Sequence, residues 1–157
     1  MYRERTDAVA SGLMAYEDDN ATRPRGSGKG ELFELARKVA SHSYSPYSGF
    51  RVGAALRLSG GQVVVGTNVE NVSYGLTICA ERAALVTAVS QFGPEIRIVA
   101  VAVANLNDAP SPPCGACRQM LAEFTLAEAL VEFASADGVR TMAFSELLPL
   151  AFEMKRR

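Results

Sequence analysis

The run Ile98-Val-Ala-Val-Ala-Val-Ala104 holds seven apolar residues and no polar one. It is far too short to cross a bilayer as a helix, which takes roughly 20 residues. It also lacks the apolar/polar alternation of a strand with one wet face. Such a run is the mark of a strand buried on both sides, so other elements must cover the sheet above and below it.

The flanking sequence supplies those elements. Leu32, Leu35, Ala36 and Val39 fall on one helical face. From Phe50 to Leu58 the chain alternates: Val52, Ala54, Leu56 and Leu58 point one way, Arg51 and Arg57 the other. Ser59-Gly60-Gly61 turns it into a second strand, Val63 to Val69. A helix is expected from about Ile78 to Phe92, with Thr77 as N-cap and Gly93-Pro94 as the stop. Pro112-Pro113 precedes a short helix starting near Cys114. Leu130 to Ala134 and Arg140 to Phe144 read as two more strands, and Ser145 as the cap of a last helix, Glu146 to about Glu153. The order α-β-β-α-β-α-β-β-α has no internal repeat. It predicts an α/β fold of three α/β/α layers around a mixed sheet of about five strands.

The 157 residues suit one domain, expected over 31–157. Residues 1–30 read as a flexible N-terminal extension, ending in the linker Arg23-Pro-Arg-Gly-Ser-Gly-Lys-Gly30. That stretch is no phosphate loop, because Gly30 rather than Ser or Thr follows Lys29. Sixteen basic against 17 acidic side chains leave a net charge of −1, with no basic excess to neutralise a nucleic-acid backbone. The single histidine, His42, excludes an HExxH zinc helix. Three cysteines make a poor disulfide framework, and the N-terminal sequence has neither the apolar core of a signal peptide nor the acid-poor composition of a transit peptide. A cytoplasmic protein with no membrane or nucleic-acid partner is expected.

The chemistry-bearing residues are Cys79-Ala-Glu81 and Cys114-Gly-Ala-Cys117. Both sit at expected helix starts. Cys114 and Cys117 are one turn apart, so their sulfurs share a side. Two helix N-termini converging on one point would gather three sulfurs and favour their thiolate forms. Three thiolates suit zinc, one ion per chain, and three protein ligands leave open the fourth position that marks a catalytic site. Glu81 follows Cys79 closely enough to serve as general acid and base without ligating. Arg82 can hydrogen-bond a thiolate. Other readings of these residues exist. The cysteines can be small buried hydrophobes. Cys114 and Cys117 can form a redox dithiol, which leaves Cys79 and Glu81 without a role. A structural zinc module needs a fourth ligand, from His42 or a carboxylate. Phe50 and Phe152 can be simple packing residues.

Four segments resemble the cytidine deaminase family: Ser45 to Ala55, Asn68 to Ala83, Pro112 to Gln119 and Leu147 to Phe152. They occur in order across about residues 31–152. The resemblance implies zinc-dependent hydrolytic deamination of cytidine and deoxycytidine to uridine and deoxyuridine, a pyrimidine salvage reaction that releases ammonia. By matching positions it implies Cys79, Cys114 and Cys117 as zinc ligands and Glu81 as proton shuttle. It implies Asn68 and Glu70 on the ribose hydroxyl, Phe50 against the pyrimidine, and the Ala80 backbone on the base. Tyr74 and Phe152 match residues given to a neighbouring subunit's site in a homotetramer. Asn68 and Glu70 are two apart, so on a strand they face one side. Glu70 would also repel a phosphate, favouring nucleosides over nucleotides. An antibiotic-type aminonucleoside is the alternative substrate, and a non-catalytic zinc module the alternative role.

Overall fold

The structure, a computed structural model, describes residues 30–154. The expected N-terminal extension therefore lies outside the described residues, Gly30 apart. Helix α1 spans Glu31–Val39, with Glu31 and Glu34 in its first turn and Arg37 and Lys38 in its last, the charge order that suits the helix dipole. Strands β1 (Val52–Leu58) and β2 (Val63–Thr67) follow, then α2 (Ala80–Phe92), β3 (Ile98–Asn105), α3 (Gly115–Ala122), β4 (Thr125–Ser135), β5 (Gly138–Ala143) and α4 (Phe144–Leu147). The sheet order is β2-β1-β3-β4-β5. Strands β3 and β4 run parallel and the other neighbours antiparallel. This is the mixed five-stranded sheet that the sequence predicts.

Strand β3 explains the layering. Its Val101 and Val103 enter the larger core with α2 and α3, while Ala102 and Ala104 enter a smaller one with Leu32 and Ala36 of α1. The valine face and the alanine face thus each meet a helical layer. Pairing irregularities at Arg57/Leu58 and Ile98/Ala100 shift the register and bring Ile98 into the valine-side core. Arg57, expected on the face opposite Leu56, pairs with Glu31 of α1 at 3.4 Å.

Two glycines set how closely the helices approach. A Cβ on Gly53 would lie 2.0 Å from the Ala36 carbonyl oxygen of α1. One on Gly66 would lie 2.3 Å from the Ala84 amide nitrogen and 2.7 Å from the Ala80 oxygen of α2. Only glycine lets these backbones touch the sheet.

The structure corrects several expected boundaries. The last helix is one turn, Phe144–Leu147, not Glu146 to Glu153. Its N-cap is Ala143, whose amide donates to the Glu146 carboxylate at 2.8 Å. Pro149 ends it: the residue before a proline is pushed out of the helical region, and Leu148 has φ −142° and ψ 70°. Strand β4 begins at Thr125 rather than Leu130, because pairing with β3 extends a segment whose Leu-Ala-Glu-Ala composition leans towards helix. Helix α2 begins at Ala80, with Cys79 rather than Thr77 as N-cap. Ile78 is held outside the helix by two backbone hydrogen bonds to Val69, of 2.9 and 3.0 Å. Among the described residues no helix is long and apolar enough to cross a membrane.

Candidate active site

The metal-type donors come together where α2 and α3 begin. Cys79 and Cys114 are the N-cap residues of the two helices, each with extended backbone. The Cys114 sulfur accepts a hydrogen bond from the Cys117 amide at 3.5 Å, so one free helix-end donor already points at a sulfur. All three Sγ atoms lie within 4.8 Å of one another, with Cys79 and Cys114 4.0 Å apart. Disulfide sulfurs sit at about 2.05 Å, so this is no disulfide. Tetrahedral zinc with Zn–S of about 2.3 Å separates its sulfurs by about 3.8 Å. The chemistry and spacing of the donor set fit zinc.

The sulfurs are electrostatically distinct. The hydrogen bond from the Cys117 thiol, aided by Arg82, pulls Cys79 down to about 5. The same hydrogen bond, with burial, pushes Cys117 up. Arg82 Nη2 lies 3.6 Å from the Cys79 sulfur and donates to the Thr77 carbonyl at 2.9 Å.

Glu81 is only 5% exposed. Burial raises its carboxyl pKa, and the neighbouring Cys79 charge raises it further. A carboxyl whose pKa is raised holds a proton more readily, which is what a general acid and base must do.

Above the sulfurs lies a cavity of about 300 Å³. Phe50, Asn68, Ala80, Glu81, Cys79 and Cys114 line it, together with Val52, Thr77, Val103 and the Pro110–Pro112 segment. Phe50 is thus a wall residue and not a core residue. Cys117 sits behind the lining, fully buried.

The remaining expected residues have other surroundings. The Asn68 side chain is tied into the rim: Oδ1 accepts from Ser43 Oγ at 2.6 Å and from the Val52 amide at 2.9 Å, while Nδ2 donates to the Phe50 carbonyl at 2.8 Å. One N–H of that amide is left for a ligand. Glu70 is outside the cavity lining. Its Oε2 accepts from the Tyr47 and Ser48 amides at 2.9 and 3.2 Å, and the Ser48 hydroxyl donates to Oε1. The Ser48 hydroxyl foremost holds the Glu70 carboxyl below the usual carboxylate range. Tyr74 and Phe152 are 79% and 71% exposed, and neither lines the cavity. The backbone of Phe152 is clasped by Gln119 of α3, through bonds of 2.8 and 3.2 Å.

Sequence reasoning passed over Gly66, Asn105 and Ser111. A polar Asn105 ending a wholly apolar strand was the available signal for the second. A glycine in a strand facing a helix start was the signal for the first.

Comparison with known proteins accords with this geometry. The family model for the cytidine and deoxycytidylate deaminase zinc-binding region matches residues 27–133. The chain is 46% identical over 122 residues to a cytidine deaminase of Halalkalibacterium halodurans, covering 77% of this chain and 91% of that one. The crystal structure of cytidine deaminase from Mycobacterium tuberculosis superposes with a TM-score of 0.72 at 40% identity, covering 82% of this chain and all of that one. That from Burkholderia pseudomallei gives 0.70 at 42% identity, covering 77% and 96%. With its three sulfurs gathered at two helix starts and a buried glutamate beside them, the chain belongs to the cytidine and deoxycytidylate deaminase family.

Proposed function

We propose that the protein hydrolyses cytidine and deoxycytidine to uridine and deoxyuridine. The cytosine C4–N bond breaks, the oxygen of water becomes the new carbonyl, and the amino group leaves as ammonia. The observation that carries this reading is the buried Glu81 carboxyl at the foot of a cavity that also exposes Cys79 and Cys114.

Cys79, Cys114 and Cys117 would hold the zinc ion, which when bound would supply Lewis-acid activation of water. Glu81 takes the proton that water gives up and returns it to the substrate, a role its raised pKa suits. Arg82, against Cys79, offsets part of the sulfur charge. Phe50 packs on the pyrimidine, and the Ala80 backbone at the start of α2 binds its polar edge. Asn68 offers its remaining N–H to the sugar. Glu70 holds the 47–50 loop, contacts the sugar hydroxyl, and its negative charge disfavours a phosphate there.

The active form is a homotetramer, acting in the cytoplasm in pyrimidine salvage. Val72, Tyr74, Leu76, Leu150, Phe152 and Met154 are each more than half exposed, and an apolar surface of this kind suits subunit contacts. Tyr74 and Phe152 then reach a neighbouring subunit's site.

The test is a substrate panel: cytidine, deoxycytidine, cytosine, the monophosphates and single-stranded DNA, followed by the loss of cytidine absorbance. Turnover of the two nucleosides alone supports the reading. Turnover of aminonucleoside antibiotics in their place assigns the alternative substrate. One zinc per chain with no turnover of anything assigns a non-catalytic zinc module.

A further inference from the structure

The cavity has two walls contributed by distant parts of the chain. One is Phe50, in the loop before β1; the other is the Pro110–Pro112 segment after β3. Two asparagines, Asn105 at the end of β3 and Asn107 in the loop after it, hold both walls, although neither lines the cavity.

Asn107 brackets Phe50. Its Nδ2 donates to the Gly49 carbonyl at 3.0 Å and its Oδ1 accepts from the Arg51 amide at 2.9 Å. Its side-chain amide thus pairs with the residues on either side of Phe50 as a neighbouring strand would. Asn105, only 6% exposed, holds the other wall. Its Nδ2 donates to the Ala109 carbonyl at 2.6 Å and to Ser111 Oγ at 2.9 Å. Its Oδ1 accepts from the Ala109 amide at 3.3 Å and from the Asn107 amide at 2.8 Å. That last bond joins the two clasps. All four hydrogen-bonding positions of the Asn105 amide are used. Ser111 is tied further to the sheet, its amide donating to the Ala134 carbonyl at 2.9 Å.

From this geometry we infer that Asn105 and Asn107 are positioning residues that fix the separation of the Phe50 and Ser111 walls and thereby set the affinity for the nucleoside. The inference rests on the proposed deamination. A flat pyrimidine needs a slot of constant width, because dispersion contact fades steeply with a gap of an ångström or less. Without Asn107, the Gly49 carbonyl and the Arg51 amide lose their partner, and the aromatic wall is then held by the Phe50 bonds to Asn68 and Ser48 and by the Leu106–Arg51 bond. The sulfurs and Glu81 stand on α2 and α3, whose placement depends on Gly66 and the valine-side core, so the chemical step is insulated from this change.

The test uses zinc-loaded enzyme and steady-state kinetics with cytidine. Asn107→Ala is expected to raise KM about tenfold while kcat stays within about twofold and zinc near one per chain. Asn107→Asp keeps an acceptor for the Arg51 amide but loses the donor to Gly49, and its KM is expected between the two. Asn105→Ala is expected to raise KM in the same manner. An unchanged KM in Asn107→Ala overturns the inference, as does a fall in kcat that tracks zinc loss with KM unmoved. If Asn107→Ala does not fold, the same criteria apply to the near-isosteric Asn107→Asp. A wild-type enzyme inactive on every cytosine nucleoside would remove the proposed activity and this inference together. Failure in an active enzyme removes the inference alone.

Discussion

The sulfurs of Cys79 and Cys114 stand 4.0 Å apart, on the N-cap residues of two different helices separated in the chain by an entire strand. Neither helix end can make the site alone. Cys114 and Cys117 come from one turn, and the third donor arrives only because α2 is seated on β2 and β1 with its N-terminus against α3.

Removal of a sulfur should therefore remove the metal. Cys117→Ser is expected to lose most of the bound zinc and to lower activity by at least about a hundredfold, since zinc ligation needs all three donors to leave one open position. Elemental analysis of the purified variant beside the wild type checks the first point and cytidine turnover the second. The wild type should also melt at a lower temperature after chelation, because an ion that binds only the folded chain stabilises it.

Glu81 carries a different expectation. Glu81→Gln keeps the size of the side chain but cannot shuttle a proton. Zinc content should stay near one per chain while kcat falls on the order of a thousandfold. Near-normal turnover would dismiss the assigned role.

Gly66 stands where no side chain fits, 2.3 Å from the Ala84 nitrogen by its would-be Cβ. Gly66→Ala must push α2 off the sheet or fail to fold around it. A loss of roughly 1–3 kcal/mol in denaturant unfolding is expected. Activity should fall as well, because Cys79 and Glu81 ride on the helix that moves.

Glu70 has its carboxyl pKa lowered in the folded protein, chiefly by the Ser48 hydroxyl. A depressed carboxyl stabilises the fold fully above its unfolded value of roughly 4.3, and that contribution is lost as pH falls through the lower folded value. Melting temperature followed from neutral pH down to the acid range should decline less steeply in Glu70→Gln than in the wild type. Parallel curves would show that the contact contributes nothing to acid stability.

Much of the site was legible because its parts are local. Cys114 and Cys117 share a face by helical period alone, and the C-A-E step puts Glu81 beside Cys79 whatever the rest of the chain does. Asn68 and Glu70 show where such reasoning stops. Their two-residue spacing gives a common side, yet Asn68 lines the cavity and is tied to Ser43, Phe50 and Val52, while Glu70 is bonded to the Tyr47–Ser48 turn. These are partners some 16 to 25 positions away, which no local period encodes.

The sequence by itself determined the donors, the alternation of β1, the double burial of β3 and the start of α3 near Cys114, since each is written in side-chain chemistry within a few residues. The tertiary structure alone decided the meeting of Cys79 with the other sulfurs, the burial that raises the Glu81 carboxyl, the extension of β4 and the linking of the cavity walls through Asn105 and Asn107. Those depend on non-local contacts, where close packing and strand pairing outweigh local preference.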